Sequence, residues 1–385
     1  MPDTAQLDRF LADSVRALRR GAPLPVYRDR LPDEEALWLR IEYHGIALLL
    51  VEEGEQLGNW PATMRTRIAE EARLMSLWEA THRPLIAELV EELADERIES
   101  VFLKGTALAY SLHDDPAIRR RGDSDLLIRA QDRAAARVIL ARRGWYRRSD
   151  PHGLYAQEGW LHETAQVFVH LVDLHWEPSD RPVLRGLLPI EAIFSGSAPL
   201  PRLSARARRP EAAMLLIHEA VNQKWHAHHG YFTDAGRMRG ARRLIWSLDF
   251  ALLVEAMEES DWQSLISRCD EERAGPIVAQ ALRGAVSDLG FALPEGVLER
   301  LEAHDIHPDL ARYFTGTDTF SEFWLDLKTA SGWRERARFI LRRALPPRRH
   351  LMTKYPGMVR WPTALLRSRM LAETAGRLAL RAVRR

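Results

Sequence analysis

The 385-residue chain is long enough to bury a large core and to form two or three domains, and its 46% apolar and 28% charged residues are those of an ordinary soluble globular protein. A single cysteine, Cys269, excludes an internal disulfide framework and fits a reducing compartment, while the longest apolar runs, such as residues 46–51, are too short to span a bilayer. The net charge of +1 conceals an asymmetry, because residues 333–385 hold 14 arginines and one lysine against two glutamates, a net +13, and leave about −12 on the rest.

Residues 1–21 are amphipathic and charged, without the apolar centre of a secretory signal, so a cytoplasmic protein is expected. The spacing predicts a helix over 4–20. A second, capped by Asp33, is predicted over 34–55, and one or two more over 63–96. The pattern then changes. A strand is expected over 98–103, a Lys104-Gly105-Thr106 turn, a helix over 106–112, a strand over 123–128 and a helix over 131–143. Short strands follow at 145–148 and 154–157, then a β-branched and aromatic strand over 167–176. From Pro210, placed at the first position of a helix to about 226, the chain reads as helical again: 239–257, 262–272, 276–289 and onward. Linkers are expected near 115–121, 177–187 and 345–363. This divides the chain into an N-terminal helical region (1–97), an α/β core (98–205), a helical domain (206–332) and a basic helical tail (333–385). The fold class is α+β, mostly helical, with a small mixed sheet.

The chemistry concentrates in residues 102–129, FLKGTALAYSLHDDPAIRRRGDSDLLIR. Residues i and i+2 of a strand share a face, so Asp123 and Asp125 project together. Two adjacent carboxylates repel each other. A site that keeps both ionised holds a hard divalent cation, Mg²⁺ or Mn²⁺. A glycine turn opening a helix is a phosphate seat, and Lys104, one of only four lysines, stands directly before Gly105. Asp173, near the end of the 167–176 strand, completes three carboxylates if that strand lies beside 123–128, which is the ligand set of a two-metal phosphoryl-transfer site. His175 reads as a packed or supporting histidine. Arg119 to Arg121 read as a solvated loop with at most one functional member. The run at His226, His228 and His229 reads as a polar loop rather than a metal site. Trp246 reads as core, and Glu219, Asn222 and Lys224 lie on the helix that follows the α/β core.

The combination LKG…GDSDLLI followed about 45 residues later by VDLHW resembles the uncharacterised nucleotidyltransferase family of bacteria, a branch of the DNA polymerase β-like superfamily. The resemblance covers residues 35–255. It includes Trp38 and His44-Gly45, the helix with His218, and the helix with Arg243, Trp246 and Asp249. The superfamily's turn carries Gly-Gly or Gly-Ser where this chain has Gly105-Thr106, and the gap from turn to carboxylates is longer here than in smaller members. The resemblance implies transfer of a nucleoside monophosphate from a triphosphate to an acceptor hydroxyl, with release of pyrophosphate. Asp123, Asp125 and Asp173 would be the catalytic metal ligands. Lys104, the amides after Gly105, the Thr106 hydroxyl and Arg121 would hold phosphates. The acceptor (small molecule, peptide or protein, or RNA) is not readable from the sequence. Two other readings stand beside this one: a non-catalytic nucleotide-binding or scaffolding protein that keeps the fold, and a nucleotide-sugar glycosyltransferase using the Asp-x-Asp motif. The basic tail either docks on the acidic body or meets an anionic partner such as RNA, an anionic membrane surface or an acidic protein.

Overall fold

The computed structural model describes residues 4–26, 34–52, 57, 59–148, 156–165, 168–179, 181–233, 236–238, 242–315, 319–330, 332–346, 348, 351–352, 355–358 and 360–382. Among the described residues four α-helices come first: α1 (Thr4–Arg19), α2 (Glu34–His44), α3 (Ala47–Glu52) and α4 (Ala62–Asp95). The helix expected over 34–55 is broken at Gly45, which adopts φ +70°. A side chain there would also collide with Arg243, whose Nη2 lies 2.8 Å from where a Cβ would sit. Asp33, the expected cap, lies outside the described residues. The stretch 63–96 is one helix, continuous through Pro84.

The α/β portion comprises β1 (Ser100–Leu103), α5 (Lys104–Leu112), β2 (Ser124–Ile128), α6 (Arg133–Arg142), β3 (Tyr146–Arg147), β4 (Gln157–Glu163) and β5 (Val169–His175). These five strands form one mixed sheet in the order β1-β2-β5-β4-β3. β1 runs antiparallel to β2, β2 parallel to β5, and β5 antiparallel to β4. β1 and β2 are buried along their whole lengths, which explains the apolar runs at 101–103 and 126–128. The strand expected at 154–157 is instead β4, starting at Gln157; Leu154 and Tyr155 lie outside the described residues, as does Val167.

Two short helices, α7 (Pro182–Arg185) and α8 (Ile190–Ser195), and the small ladder of β6 (Ala198–Pro199) and β7 (Arg208–Arg209) lead into α9 (Ala212–His229). Pro210 precedes this helix, Glu211 is its cap, and the helix continues through His226, His228 and His229 to Gly230. A hairpin of β8 (Tyr231–Thr233) and β9 (Gly236–Met238) occupies what reads as loop in the sequence, and α10 (Leu244–Ala256) starts five residues later than the helix expected from 239. Then come α11 (Glu259–Glu272), α12 (Gly275–Leu289), α13 (Val297–Leu301), α14 (Pro308–Thr315), α15 (Thr319–Thr329), α16 (Gly332–Ala344) and a last helix, Thr363–Ala382. α11 opens on a capping box between Glu258 and Asp261.

One apolar core joins both faces of the sheet to the C-terminal half of α4 and to α9, α11 and α12, with Ile86, Phe102, Leu126, Leu216 and Leu282 among its buried members. A second gathers α1, α2, α3, the start of α4 and α10, including Leu11, Trp38, Ile41, Met64 and Trp246. α4 therefore contributes to both. In the tail, Leu351, Tyr355, Leu366 and Met370 form a small core of their own.

Candidate active site

The parallel pairing of β2 with β5 places Asp125 directly opposite Asp173. The same row continues to Leu103 on one side and to Gly159 on the other. Partners in register share a face of the sheet, and so do residues i and i+2, so Asp125, Asp173 and His175 point the same way. His175 Nε2 lies 2.8 Å from Asp125 Oδ1, and Gln157 Nε2 donates to Asp173 Oδ2 at 2.9 Å. One ligand atom from each of Asp125, Asp173 and His175 falls within a 4.8 Å group, a donor set suited to a divalent ion. Gly159 leaves room beside Asp173, because a Cβ there would stand 3.2 Å from Asp173 Oδ1.

Asp123 sits just before β2 and outside that group, so His175 joins the two strand carboxylates where the sequence points to Asp123. Asp123 still feels the site: burial and the charges of Asp125 and Asp173 push its carboxyl up to about 7. Asp173 is also raised, by burial and by Asp125. Burial alone would raise Asp125, but the Lys104 ammonium and His175 beside it hold its carboxyl below the usual range. Lys104 Nζ donates to Asp125 Oδ1 at 2.6 Å, and despite burial this pairing keeps the amine protonated. The lysine thus carries its charge to the carboxylates rather than outward.

The expected Lys-Gly-Thr turn is tighter than a loop. β1 passes into α5 with no intervening residue, and the left-handed conformation falls on Lys104 (φ +47°), not on Gly105. A non-glycine residue there costs on the order of 1 kcal/mol or more, a strain held at the site. Gly105 has another role: the Arg121 side chain packs over it, 3.5 Å from where a Cβ would be.

Two residues expected to bind phosphate are otherwise engaged. Thr106 is buried, and its hydroxyl shares a hydrogen bond of 2.8 Å with Ser124 Oγ on the opposite face of β2. Ser124 in turn meets His82 Nε2 at 2.7 Å, and His82 Nδ1 lies 3.2 Å from His170 Nδ1. Burial lowers both imidazoles, His82 strongly and His170 to about 4, so this line of side chains is neutral. Arg121 is buried in an ion pair with Glu79 at 2.7 Å, between the rings of Trp78 and Tyr110. Residues 115–121 are accordingly neither linker nor solvated loop. Arg119 pairs with Asp249 of α10 at 2.6 Å, Arg120 with Glu71 of α4 at 3.1 Å, and Arg121 with Glu79. Three consecutive arginines clamp the approach to β2 onto two helices. Ser124 was not singled out in the sequence; its place between Asp123 and Asp125, on the face of β2 opposite Asp125, is the one signal that could have found it. Nothing in the sequence singled out His82 or Glu79, which arrive from a distant helix.

α9 brings His218 and Glu219 near the cluster. Burial and the Lys104 charge press His218 down to about 3. Glu219 is 1% exposed, and burial and the Asp249 carboxylate push it up to about 7 against the pull of Arg119. Its folded value stands above the ordinary one, so its contribution to stability is fully present below about pH 4 and is lost as pH rises through about 7. Glu219→Gln is therefore expected to raise the melting temperature at pH 8 and to gain little at pH 5, the difference being on the order of 1–3 kcal/mol. Melts of both proteins at the two pH values check this; an equal effect at both would show that Glu219 does not titrate in this range. At the end of α9, His228, His229 and Glu322 of α15 form a second group that could ligate an ion, with His228 Nε2 3.3 Å from Glu322 Oε1. The histidine run is thus helical rather than loop.

The remaining motif residues meet in space. His44 Nδ1 accepts from the Leu244 amide at 3.1 Å, and Arg243 Nε donates to the Tyr43 carbonyl at 2.5 Å. Trp246 is buried in the second core, and Asp249 is wholly buried between His113 and Arg119.

None of the curated proteins matches this chain. Among solved structures, an antigenic nucleotidyltransferase-like protein from Paracoccidioides brasiliensis is similar at 14% identity, with a TM-score of 0.32, over 58% of this chain and 94% of that one. The family described as uncharacterised nucleotidyltransferase matches residues 31–289, a span holding the whole sheet, its carboxylates and the helices α9 and α10. The chain belongs to that uncharacterised nucleotidyltransferase family.

Proposed function

We propose that this protein is a metal-dependent nucleotidyltransferase of the DNA polymerase β-like superfamily, moving a nucleoside monophosphate from a triphosphate to an acceptor hydroxyl. The observation that supports this most is the register of Asp125 against Asp173 on parallel strands, with Asp123 adjacent. The acceptor oxygen bonds to the α-phosphorus, the bond to the bridging oxygen breaks, pyrophosphate leaves with the electron pair, and the acceptor proton passes to solvent. Asp125 and Asp173 would hold Mg²⁺ or Mn²⁺, their oxygens suiting a hard cation, with His175 in the same close group and Asp123 beside it as a further carboxylate. Such an ion supplies charge neutralisation for the triphosphate and acidifies the acceptor hydroxyl.

The chain's own residues do the rest by position and charge. Lys104 is the cation that neutralises Asp125, and its flexible stem can turn to a phosphate oxygen when a triphosphate arrives. The first amides of α5, from Gly105 on, form the phosphate seat. Thr106 and Arg121 act behind it, Thr106 by fixing β2 through Ser124 and Arg121 by covering Gly105 and tying the site to α4.

The Lys104–Asp125 pair also favours a second reading, a nucleotide-binding protein without turnover, since the ammonium already satisfies the carboxylate. Thermal shifts with ATP, GTP, CTP and UTP, each with and without Mg²⁺, and with nucleotide sugars, separate these. The expected result is Mg²⁺-dependent stabilisation by a triphosphate, about 2.7 kcal/mol at a hundredfold excess over Kd, lost in Asp123→Ala/Asp125→Ala. Stabilisation by a nucleotide sugar alone would move the assignment to glycosyl transfer, binding without any pyrophosphate release would support the second reading, and no shift with any nucleotide would overturn both.

A further inference from the structure

We propose that the basic C-terminal region docks this protein on an anionic lipid surface through the exposed apolar face of α16. This inference is independent of the nucleotidyl-transfer reading. In α16, Trp333, Ala337, Ile340, Leu341 and Ala344 are spaced i, i+4, i+7, i+8 and i+11, which puts them on one side of the helix. That side faces solvent: Trp333 is 74% exposed, Leu341 55% and Ile340 45%. The helix is held to the body by another side. Phe339 is buried and stacks on Phe323 of α15 with ring centroids 5.3 Å apart, and Arg185 of α7 pairs with Glu335 at 2.5 Å. Leu345, just past the helix, and Trp361, Leu365 and Leu371 at the following helix are also exposed.

An isolated exposed leucine is ordinary, but a stripe of this length bordered by arginine is not. Arg334 lies with its guanidinium 5.5 Å from the Trp333 ring centre, so a cation flanks the aromatic at the edge of the stripe. Tryptophan at the boundary, aliphatic side chains between and arginines alongside make up the composition of a helix lying in a membrane interface. The charge settles which occupant. Residues 333–385 carry a net +13, which attracts an anionic leaflet and repels a second copy of the same region. RNA would satisfy the arginines, but its phosphates offer no apolar medium to Ile340, Leu341 and Leu345. Among the described residues no helix is long and apolar enough to cross a membrane, so the contact is peripheral.

The test is flotation of the full-length protein with phosphatidylcholine vesicles, with and without phosphatidylglycerol. Preference for the anionic vesicles by about tenfold or more is expected, weakening as salt rises. Ile340→Glu/Leu341→Glu should reduce that binding about tenfold with an unchanged melt, and Trp333→Ala should reduce it without adding charge. Binding equally strong to both vesicle types, or undiminished in both variants, sinks the proposal. So does tighter binding to a mixed-sequence RNA that the Ile340→Glu/Leu341→Glu change leaves intact, or a dimer seen by light scattering that this change splits.

Discussion

Asp125→Ala is expected to remove Mg²⁺-dependent turnover by at least about a thousandfold, roughly 4 kcal/mol of transition-state stabilisation, while leaving the protein folded. Its effect on stability is set by two opposing changes. The substitution deletes the acceptor for Lys104 at 2.6 Å and for His175 at 2.8 Å. It also removes the negative charge that, after burial, does most to raise Asp123 and Asp173. Lys104 keeps Asp123 and Asp173 as neighbouring charges, and its side chain is 27% exposed. A net change within about 2 kcal/mol follows. Asp173→Ala should match the loss of turnover, because the two carboxylates face each other in register. Pyrophosphate release and a thermal melt on the same preparations report both quantities. Full activity in Asp125→Ala would remove the metal-dependent mechanism, whereas inactivity with unfolding would leave only a structural role for the residue.

The largest stability loss should come from Asp249→Ala, about 3–5 kcal/mol. Asp249 is wholly buried, accepts from Arg119 Nε at 2.6 Å, and lies 3.3 Å from His113 Nε2. Truncation leaves the Arg119 guanidinium in the interior without its carboxylate, with the Arg120 carbonyl at 3.0 Å and the nearby Glu219 among the groups that offset it. A turn of Arg119 toward Glu219 sets the lower end of the range. Replacing both partners with apolar residues, Arg119→Met/Asp249→Leu, should recover most of the loss, since no buried charge is then stranded. Urea denaturation midpoints at constant slope measure this; a mild single variant would mean that the pair is solvated.

What could be read from the sequence, and what could not, follows the range of the forces involved. Period-2 and period-3.6 patterns are local, so the strand around Asp125, the strand ending at His175 and most helices were visible. Breaks set by distant contacts were not. Gly45 interrupts a helix because Arg243 needs its space, and the hairpin before α10 carries no apolar alternation strong enough to announce it. Asp173 was legible as a candidate because its strand was. The arginines at 119–121 were misread as solvated because their counter-charges, Asp249, Glu71 and Glu79, lie far away in sequence. Thr106 was read as a ligand of phosphate because the residue behind it, Ser124, was seen only as the spacer between two aspartates.

The connection between the two carboxylate strands has a kinetic consequence. β4 and β5 adjoin in sequence and pair antiparallel, so they can meet as a hairpin on the microsecond scale. β2 and β5 pair in parallel across a connection that holds α6, β3 and β4, a longer closure than the β4–β5 hairpin. Asp125 and Asp173 therefore come face to face late, after most of the sheet's apolar surface has been gathered. Their repulsion then burdens the native state more than the route to it. Removing the Asp173 charge, which burial and Asp125 disfavour, should slow unfolding while leaving the refolding rate nearly unchanged.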